Sequence, residues 1–316
     1  MHFPFKLAGE KEFDAVGFGL NAVDHLVVVP AYPAFDTKIR FTEHVQATGG
    51  QTATAMVTLQ RLGMKTAYAG RFGSDAEGRF GLASLKGEGV DTSFAEVLEG
   101  ARNQIAFIII DERNGERTII WDRDESLAYK REEAPVGLAS RGRVLHLDAH
   151  DPPACAEMAR AARAAGTIVS ADIDNIYEGL PELLPLIDVL ISSKEFPTRL
   201  TGIPDRREAL REIKSRYGSK VVGMTLGTEG AVILCEGQFI EWKAYTVPGV
   251  CRDTTGAGDA FHGGFLYGIL RGLDLEETLR IANATAALKC RGLGARTTLP
   301  TQAELNEFLR RAMELD

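Results

Sequence analysis

The chain has few cysteines, and their spacing matches no metal or disulfide motif. They are scattered through 316 residues without a C-x-x-C pair, so neither a zinc site nor a disulfide framework is indicated; they are Cys155, Cys235, Cys251 and Cys290. Long hydrophobic runs are missing too, because the longest, such as residues 105–110, are far shorter than the roughly 20 residues of a membrane span. The first eleven residues lack the apolar core of a signal peptide. We therefore expect a cytoplasmic protein without a membrane partner.

Positively charged residues are fewer than negatively charged ones. The sequence has 36 Lys and Arg against 44 Asp and Glu, a formal net charge of −8, and no long basic run, so nucleic acid is not an expected partner. The Walker sequence GxxxxGK[ST] and the HRD and DFG motifs of protein kinases are absent, which excludes two common designs for phosphoryl transfer. What remains is an ordinary globular composition, with 45% hydrophobic and 25% charged residues.

The stretch with the clearest chemistry is Asp253–Phe261, which reads DTTGAGDAF. Gly256, Ala257 and Gly258 carry little or no side chain, so a ligand can approach their backbone closely. Apolar residues follow at helical spacing, and the N-terminus of a helix suits a phosphate. Asp259 places a carboxylate in that first turn, where it would either accept the proton of an attacking hydroxyl or only complement the helix dipole.

Strand and helix patterns alternate along most of the chain, which predicts an α/β fold with a parallel, doubly wound sheet. Residues 17–22 match the dinucleotide fingerprint GxGxxA, but β-branched residues up to Pro30 predict a strand where the fingerprint needs a helix, which argues against a nicotinamide or flavin site. Asp24 is then expected near the end of the first strand, where open α/β sheets hold ligands. No repeat or low-complexity linker divides the chain, so we expect one domain over residues 1–316.

Two further groups of residues are ambiguous. Gly49 and Gly50 precede a predicted helix at Gln51–Leu62, which permits close approach of a ligand, although a tight turn explains the pair almost as well. The histidines on either side of Asp148 suggest a metal site, but the three residues are too close together on one predicted strand and lack zinc-type spacing.

A second, smaller sheet is predicted beside the main one. Its strands are expected at Lys38–Val45, 105–111 and 117–121, with an Asn114-Gly115 hairpin turn between the last two. Together with the strand after Asp24 they form an antiparallel sheet, built from about residues 24–46 and 103–122. Such a sheet could be a lid that closes over the substrate, a dimerisation surface, or both.

The Gly49-Gly50 helix start (GGQTATAMVTLQRLG) and the DTTGAGDAF run resemble the motifs of PfkB-type (ribokinase-like) carbohydrate kinases, and the similarity covers residues 13–300 or so. This resemblance implies a three-layer ribokinase-like α/β fold and an enzyme that transfers the γ-phosphate of ATP, with Mg²⁺, to a sugar hydroxyl. It also implies that Asp259 is the general base, and that Gly256, Ala257 and Gly258 supply backbone N–H groups that stabilise the transferring phosphoryl group.

The same resemblance implies roles for residues elsewhere in the chain. Sugar contacts are implied for Asp24, Gly49, Gly50 and Thr54, the last of which stands where the family often has Asn. Nucleotide contacts are implied for Ser193, Thr225, Gly227, Thr228, Gly230 and Asn283. A monovalent-cation loop, for K⁺, is implied at Asp253 and Thr255, with backbone groups around Gly294 and Thr298. Lys38 and Asn103, in predicted lid strands, could also reach the sugar, and plain solvent exposure is the alternative for Lys38.

The chain departs from the family pattern at the expected magnesium motif. The family usually carries Asn-x-x-Glu, which organises Mg²⁺-bound water, whereas this chain has Ser193–Phe196, in which Glu195 could take that role from the neighbouring position. This run and residues 286–296 (AALKCRGLGAR) resemble ketohexokinases and sulfofructose kinases, which favours a ketose as substrate. A nucleoside kinase of the same fold and a non-catalytic nucleotide- or sugar-binding protein are the alternatives.

Overall fold

The computed structural model describes residues 1–313. Its strands are β1 (Phe13–Phe18), β2 (Ala22–Val29), β3 (Glu43–Gly49), β4 (Thr66–Ala69), β5 (Arg71–Gly73), β6 (Glu96–Leu98), β7 (Ile105–Asp111), β8 (Arg117–Asp122), β9 (Gly142–Leu147), β10 (Ile168–Ile173), β11 (Val189–Ser192), β12 (Val221–Thr225), β13 (Ala231–Cys235) and β14 (Gln238–Trp242). Its α-helices are α1 (Gln51–Arg61), α2 (Ala76–Gly87), α3 (Val136–Ala139), α4 (Pro152–Ala164), α5 (Leu180–Leu183), α6 (Phe196–Thr201), α7 (Arg206–Tyr217), α8 (Ala257–Leu270), α9 (Leu275–Lys289) and α10 (Gln302–Met313).

The main sheet has the strand order β14-β13-β12-β11-β10-β9-β1-β4. All its pairs from β4 to β12 are parallel, and the hairpin β13–β14 continues it in antiparallel fashion. Successive side chains of these strands enter opposite apolar layers: Val144 packs in the layer of α1, α8 and α9, and Leu145 in the layer of α4, α5 and α7. Burial on both faces explains why these strands are rich in Val, Leu and Ile, as parallel strands are.

The smaller sheet has the order β3-β2-β7-β8 and is called the lid below, after the role predicted for it. The prediction of a separate small sheet from these segments is confirmed, but the prediction that it is antiparallel is wrong at its centre, because β2 and β7 are parallel. The inner face of the lid packs on the body through an apolar cluster that includes Leu26, Ile108 and Leu293. The Asn114-Gly115 turn joins β7 to β8 as predicted, with a φ of 70° at Gly115.

Two further differences from the sequence predictions have simple causes. The strand expected from Lys38 begins only at Glu43, because β2 ends at Val29 and leaves residues 38–41 without a strand to pair with. Lys38 therefore lies in an exposed irregular segment. The short elements β5, β6, α3 and α6 were not predicted, since each is too brief to show a period.

No helix among residues 1–313 is both long enough and apolar enough to cross a bilayer.

Candidate active site

The parallel strands of the main sheet all end at one edge, and polar side chains gather there. Asp148 directly follows β9, Asp172 is the second-to-last residue of β10, and Thr225 is the last residue of β12. The carboxyl ends of strands are the usual place for ligands in open α/β sheets. The fold therefore brings together, at one edge, residues that the sequence separates widely.

Asp172 joins the two glycine-led helices to this edge. Its Oδ1 lies 3.2 Å from His262 Nε2, on the second turn of α8, and its Oδ2 accepts a hydrogen bond of 3.5 Å from Gln51 Nε2, the first residue of α1. The N-termini of α1 and α8, which the sequence analysis identified independently, thus open onto the same space. Neither Asp172 as a bridge nor His262 was predicted, because a side-chain link between distant helices leaves no local signal.

The DTTGAGDAF run forms the predicted helix start. Gly256 has a φ of 77°, and a Cβ there would lie 2.7 Å from the Ala295 Cα, so this position requires glycine. Gly258, by contrast, has open space where its Cβ would be, with no atom within 4 Å. The Ala257 N–H donates to the Thr254 carbonyl at 3.1 Å, whereas the N–H groups of Gly258 and Asp259 have no acceptor within the helix by position. Free N–H groups beside open space are suited to an anion.

Asp259 stands in this first turn of α8, partly accessible to solvent. Burial raises the pKa of its carboxyl well above the ordinary value, and the nearby Asp172 carboxylate raises it further. The guanidinium groups of Arg117 and Arg296 oppose both effects. A carboxylate that is costly to leave ionised is a stronger proton acceptor than an exposed one.

Asp24 lies inside β2 of the lid, and not at the end of β1 as the sequence suggested. Its side chain contacts the Gly49-Gly50 turn so closely that a Cβ on Gly49 would lie 2.3 Å from Asp24 Oδ2. Burial raises the pKa of Asp24 to about 7, and the Arg296 guanidinium partly counteracts this. The charge of the Asp24 carboxylate also raises the pKa of Asp259.

Arg296 is a buried cation that the sequence analysis did not assign to the site. Its guanidinium donates hydrogen bonds to the Gly49 carbonyl and, at 3.3 Å, to the Thr54 hydroxyl, while its Nη1 is buried without a partner among the described residues. Burial lowers the pKa of Arg296 to about 10. Thr54, which was predicted to contact the sugar, is fully buried beneath the Gly49-Gly50 turn. Its hydroxyl accepts the hydrogen bond from Arg296.

The inner face of the lid carries two more residues that were not predicted. Arg117 donates from its Nη1 to the Thr254 hydroxyl at 2.7 Å, which connects β8 to the DTTGAGDAF run. Trp121 is opposite Ala106, which in turn is opposite Asp24, so the three side chains lie on one face of the lid. Trp121 is 57% exposed. An exposed aromatic in line with Asp24 offers an apolar surface at the mouth of the cleft.

The sugar contacts of the two remaining residues, Asn103 and Lys38, stay predictions. Asn103 is buried just before β7, where its Oδ1 accepts from Gly73 N at 3.2 Å and its Nδ2 donates to the Gln104 carbonyl at 3.0 Å. These bonds hold the base of the lid. Lys38 is exposed in the segment between β2 and β3.

The predicted nucleotide residues lie mostly at the ends of β11 and β12. Ser193 follows β11, and its hydroxyl donates to the Asp174 carbonyl at 3.5 Å. Thr225 ends β12 and leads into a 3-10 turn, Gly227–Glu229, which contains the exposed Thr228 and is closed by Gly230. Asn283 is separate: it is buried in α9 and donates to the Leu279 carbonyl at 2.9 Å.

Within the part of the chain that the structure describes, no three His, Cys, Asp or Glu residues are grouped to hold a metal ion. Asp148 instead accepts hydrogen bonds from Leu20 N and the Thr52 hydroxyl, which tie β1 and α1 to β9. Glu195 is exposed and lies 3.6 Å from Arg206. Mg²⁺ commonly binds through substrate phosphates plus one or two carboxylates, so this edge, with Asp172 and Asp259, fits a metal carried in by a nucleotide.

The predicted potassium loop leaves the buried Thr255 hydroxyl without a partner among residues 1–313, whereas the Thr298 hydroxyl and Asp253 are engaged. Asp253 is fully buried, and its two carboxylate oxygens accept hydrogen bonds of 2.8 Å from Thr255 N and Gly294 N. The Lys289 ammonium lies 3.6 Å from Asp253 Oδ2 and donates to the Asp253 carbonyl at 2.9 Å. The Thr298 hydroxyl donates to the Lys289 carbonyl. A positive charge of the protein itself already stands at this loop.

Comparison with known proteins agrees with this geometry. Residues 16–302 match the sequence family described as pfkB family carbohydrate kinase. An uncharacterised sugar kinase of Archaeoglobus fulgidus is 34% identical over 78% of this chain and 99% of its own length. Fructokinase-1 of Oryza sativa subsp. japonica is 30% identical over 97% of this chain and 100% of its own length. The crystal structure of an Agrobacterium tumefaciens protein, provisionally assigned as a ribokinase, has a TM-score of 0.88 at 28% identity and covers 96% of this chain and 99% of that one.

The mixed main sheet, the lid and the two glycine-led helices define a ribokinase-like α/β fold. The chain belongs to the pfkB family of carbohydrate kinases, which are phosphotransferases that act on sugar hydroxyls. The predicted family, fold class and enzyme class are thus confirmed. The preference for the ketohexokinase and sulfofructose kinase branch stays a prediction, as do the roles of single residues.

The raised pKa of Asp24 makes a prediction about stability. Because the folded state favours the protonated carboxyl, the cost of ionising Asp24 is absent below its ordinary pKa of about 4, grows as the pH rises, and is complete above the folded-state pKa of about 7. Asp24→Asn removes this cost. We expect the variant to exceed the wild type in free energy of unfolding at pH 8, by up to about 4 kcal/mol, and to match it near pH 4.

Urea unfolding of both proteins at the two pH values measures this difference. Asp122→Asn, in the exposed strand β8, is the matched control and should change little at either pH. An equal effect of Asp24→Asn at both pH values would contradict the assignment.

Proposed function

We propose that this protein is an ATP-dependent sugar kinase in which Asp259 is the general base. The observation that carries the proposal is the pairing of Asp259, whose pKa is raised by burial, with the open backbone of Gly258 beside it. One group can accept the proton of a hydroxyl, and the other can hold the phosphate that the hydroxyl attacks. Phosphoryl transfer to a hydroxyl needs both groups close together.

The mechanism follows from where these groups lie. The γ-phosphate of ATP would sit against the N–H groups of Gly258 and Asp259, with the nucleotide extending toward Thr225–Gly230. Mg²⁺ would neutralise charge on the phosphates when it is bound with the nucleotide. Asp259 would take the proton of the acceptor hydroxyl as in-line transfer begins. Arg117, which reaches the run from the lid, would add positive charge over the transferring group.

The acceptor would lie between the lid and Asp259. Asp24 offers carboxylate oxygens for sugar hydroxyls, and Trp121 offers an apolar surface for the sugar ring. A ketose is the proposed substrate class, in keeping with the similarity to a fructokinase. Potassium is not part of the proposal, because the Lys289 ammonium already pairs with Asp253 and the Thr298 hydroxyl donates to the Lys289 carbonyl. All four cysteines are free thiols, which supports a reducing compartment such as the cytoplasm.

A panel of acceptors tests the substrate class. ADP production is measured with ketoses, aldoses and nucleosides at equal concentrations, in the presence of ATP and Mg²⁺. Ketoses are expected to give the highest kcat/KM. A preference for nucleosides would favour the nucleoside kinase alternative, and no ADP with any acceptor would favour a non-catalytic binding protein.

Replacing the base should separate chemistry from binding. Asp259→Asn should lower turnover by roughly 10²–10⁴-fold, the usual cost of losing a general base, while ATP affinity stays near that of the wild type. Turnover comes from the same ADP measurement, and affinity from calorimetry. Glu276→Gln is the matched control, because Glu276 also stands in the first turn of a helix, α9, and there can only complement the dipole. Near-normal turnover of Asp259→Asn would contradict the assignment of Asp259 as the general base.

We also propose a homodimer formed through the outer face of the lid. Phe107 and Ile120 are opposite each other on this face and are about half exposed. His25 stacks on Phe107, with ring centroids 5.2 Å apart, and His44 extends the row. A continuous apolar and aromatic sheet face of this kind is a common mark of a protein interface. A second copy of the chain is the proposed occupant, since the same face would then cover itself.

Phe107→Glu should therefore convert a dimer into a monomer, because it places a charge in the covered face. Light scattering coupled to gel filtration gives the mass. Val97→Glu, which changes an equally exposed residue of β6, is the control and should leave the dimer intact. A monomeric wild type would contradict the proposal.

A further inference from the structure

Lys289 is an unusual lysine. It is fully buried at the end of α9, with no exposed side-chain surface. Lysine is almost never buried in this way unless it is paired, because the ammonium loses its hydration. Its pairing partner is Asp253, the first residue of the DTTGAGDAF run: the ammonium donates to the Asp253 carbonyl at 2.9 Å and lies 3.6 Å from its carboxylate.

The helix dipole does not account for this contact. A cation in the last turn of a helix is favoured by the carbonyl groups of that helix. The Lys289 ammonium, however, donates to a carbonyl that is 36 residues away in the sequence and belongs to a different segment. Its position is set by the loop before α8 and not by the end of α9.

The ammonium stands where two segments meet beneath the site. On one side is the run from Asp253 to Asp259; on the other is the loop after α9, whose Gly294 N–H donates to the Asp253 carboxylate at 2.8 Å. The Cys290 carbonyl accepts from Arg252 N at 2.9 Å, and Gly256 packs directly on Ala295. The contact between these segments fixes where Gly256 holds the start of α8, and with it Gly258 and Asp259.

We propose that the Lys289 ammonium is a built-in cation of this loop, and that the protein accordingly needs no potassium ion. The carbonyl and carboxylate of Asp253, which would face a bound monovalent ion, already face a fixed positive charge. The Thr298 hydroxyl, a second potential ion contact, is committed to the Lys289 carbonyl. Lys289 would thus be a positioning residue for the Gly258–Asp259 turn, a role that rests on the proposed function of that turn.

The first test is the response of the wild-type protein to potassium. Its thermal midpoint and its turnover are measured in KCl and in tetramethylammonium chloride at equal ionic strength. We expect neither to change by more than a small fraction. A rise of several-fold in turnover, or a rise of several degrees in the midpoint, that is specific to K⁺ would overturn the proposal.

The second test removes the ammonium in two ways. Lys289→Ala leaves a space beside Asp253 that K⁺ can enter, whereas Lys289→Met fills much of that space with an apolar chain. Both should lower the thermal midpoint by roughly 5 °C or more, because the buried Asp253 carboxylate loses its counter-charge. Both should also lower turnover by on the order of 10- to 100-fold through displacement of the turn. Added KCl should restore Lys289→Ala in large part and leave Lys289→Met unchanged.

Lys214→Met is the matched control, since the Lys214 ammonium also donates to two backbone carbonyls, those of Ser219 and Lys220, at the end of α7. It should show no potassium dependence. Full turnover and stability of Lys289→Met would overturn the proposal, as would a potassium effect equal in Lys289→Ala and Lys289→Met. The thermal midpoint does not depend on catalysis, so a protein that phosphorylates no sugar would refute the proposed function while the potassium test still decides the role of Lys289.

Discussion

The buried carboxylate of Asp253 holds the candidate active site in shape. It accepts hydrogen bonds from Thr255 N in its own loop and from Gly294 N in the loop after α9, and the Lys289 ammonium balances its charge. Everything above it depends on that arrangement: the left-handed turn at Gly256, the direction in which α8 begins, and the place of Asp259. Breaking a buried pair of this kind costs much more than an exposed one, because the remaining charge has no water around it.

Ionising the buried carboxyl groups of the cleft costs folding free energy. Burial raises the pKa of both Asp24 and Asp259, and the guanidinium of Arg296 offsets only part of that cost. A fold selected for stability alone would not keep such groups, whereas a site that must bind hydroxyls and take a proton gains from them. The apolar layers on both faces of the main sheet supply stability that offsets this cost of ionisation.

Much of the fold could be predicted because its signals are local. The glycine-rich run predicted the start of α8, and the strand predicted to follow the GxGxxA match is present as β2. The extent of β3 could not be predicted, since it depends on where β2 ends. Lys289 and Arg296 could not be recognised either: in a sequence, a lysine or an arginine indicates solvent, and only packing shows that these two lie buried against Asp253 and Gly49. The division into a single domain stays a prediction.

The most direct test of the account is a crystal structure with a ketose and a non-hydrolysable ATP analogue. The account predicts that the acceptor hydroxyl lies about 2.6–3.2 Å from an Asp259 carboxylate oxygen. It also predicts that this hydroxyl oxygen lies about 3–3.5 Å from the γ-phosphorus, with the phosphate against the N–H groups of Gly258 and Asp259. A sugar hydroxyl paired with a different base, or a γ-phosphate bound away from that turn, would contradict it.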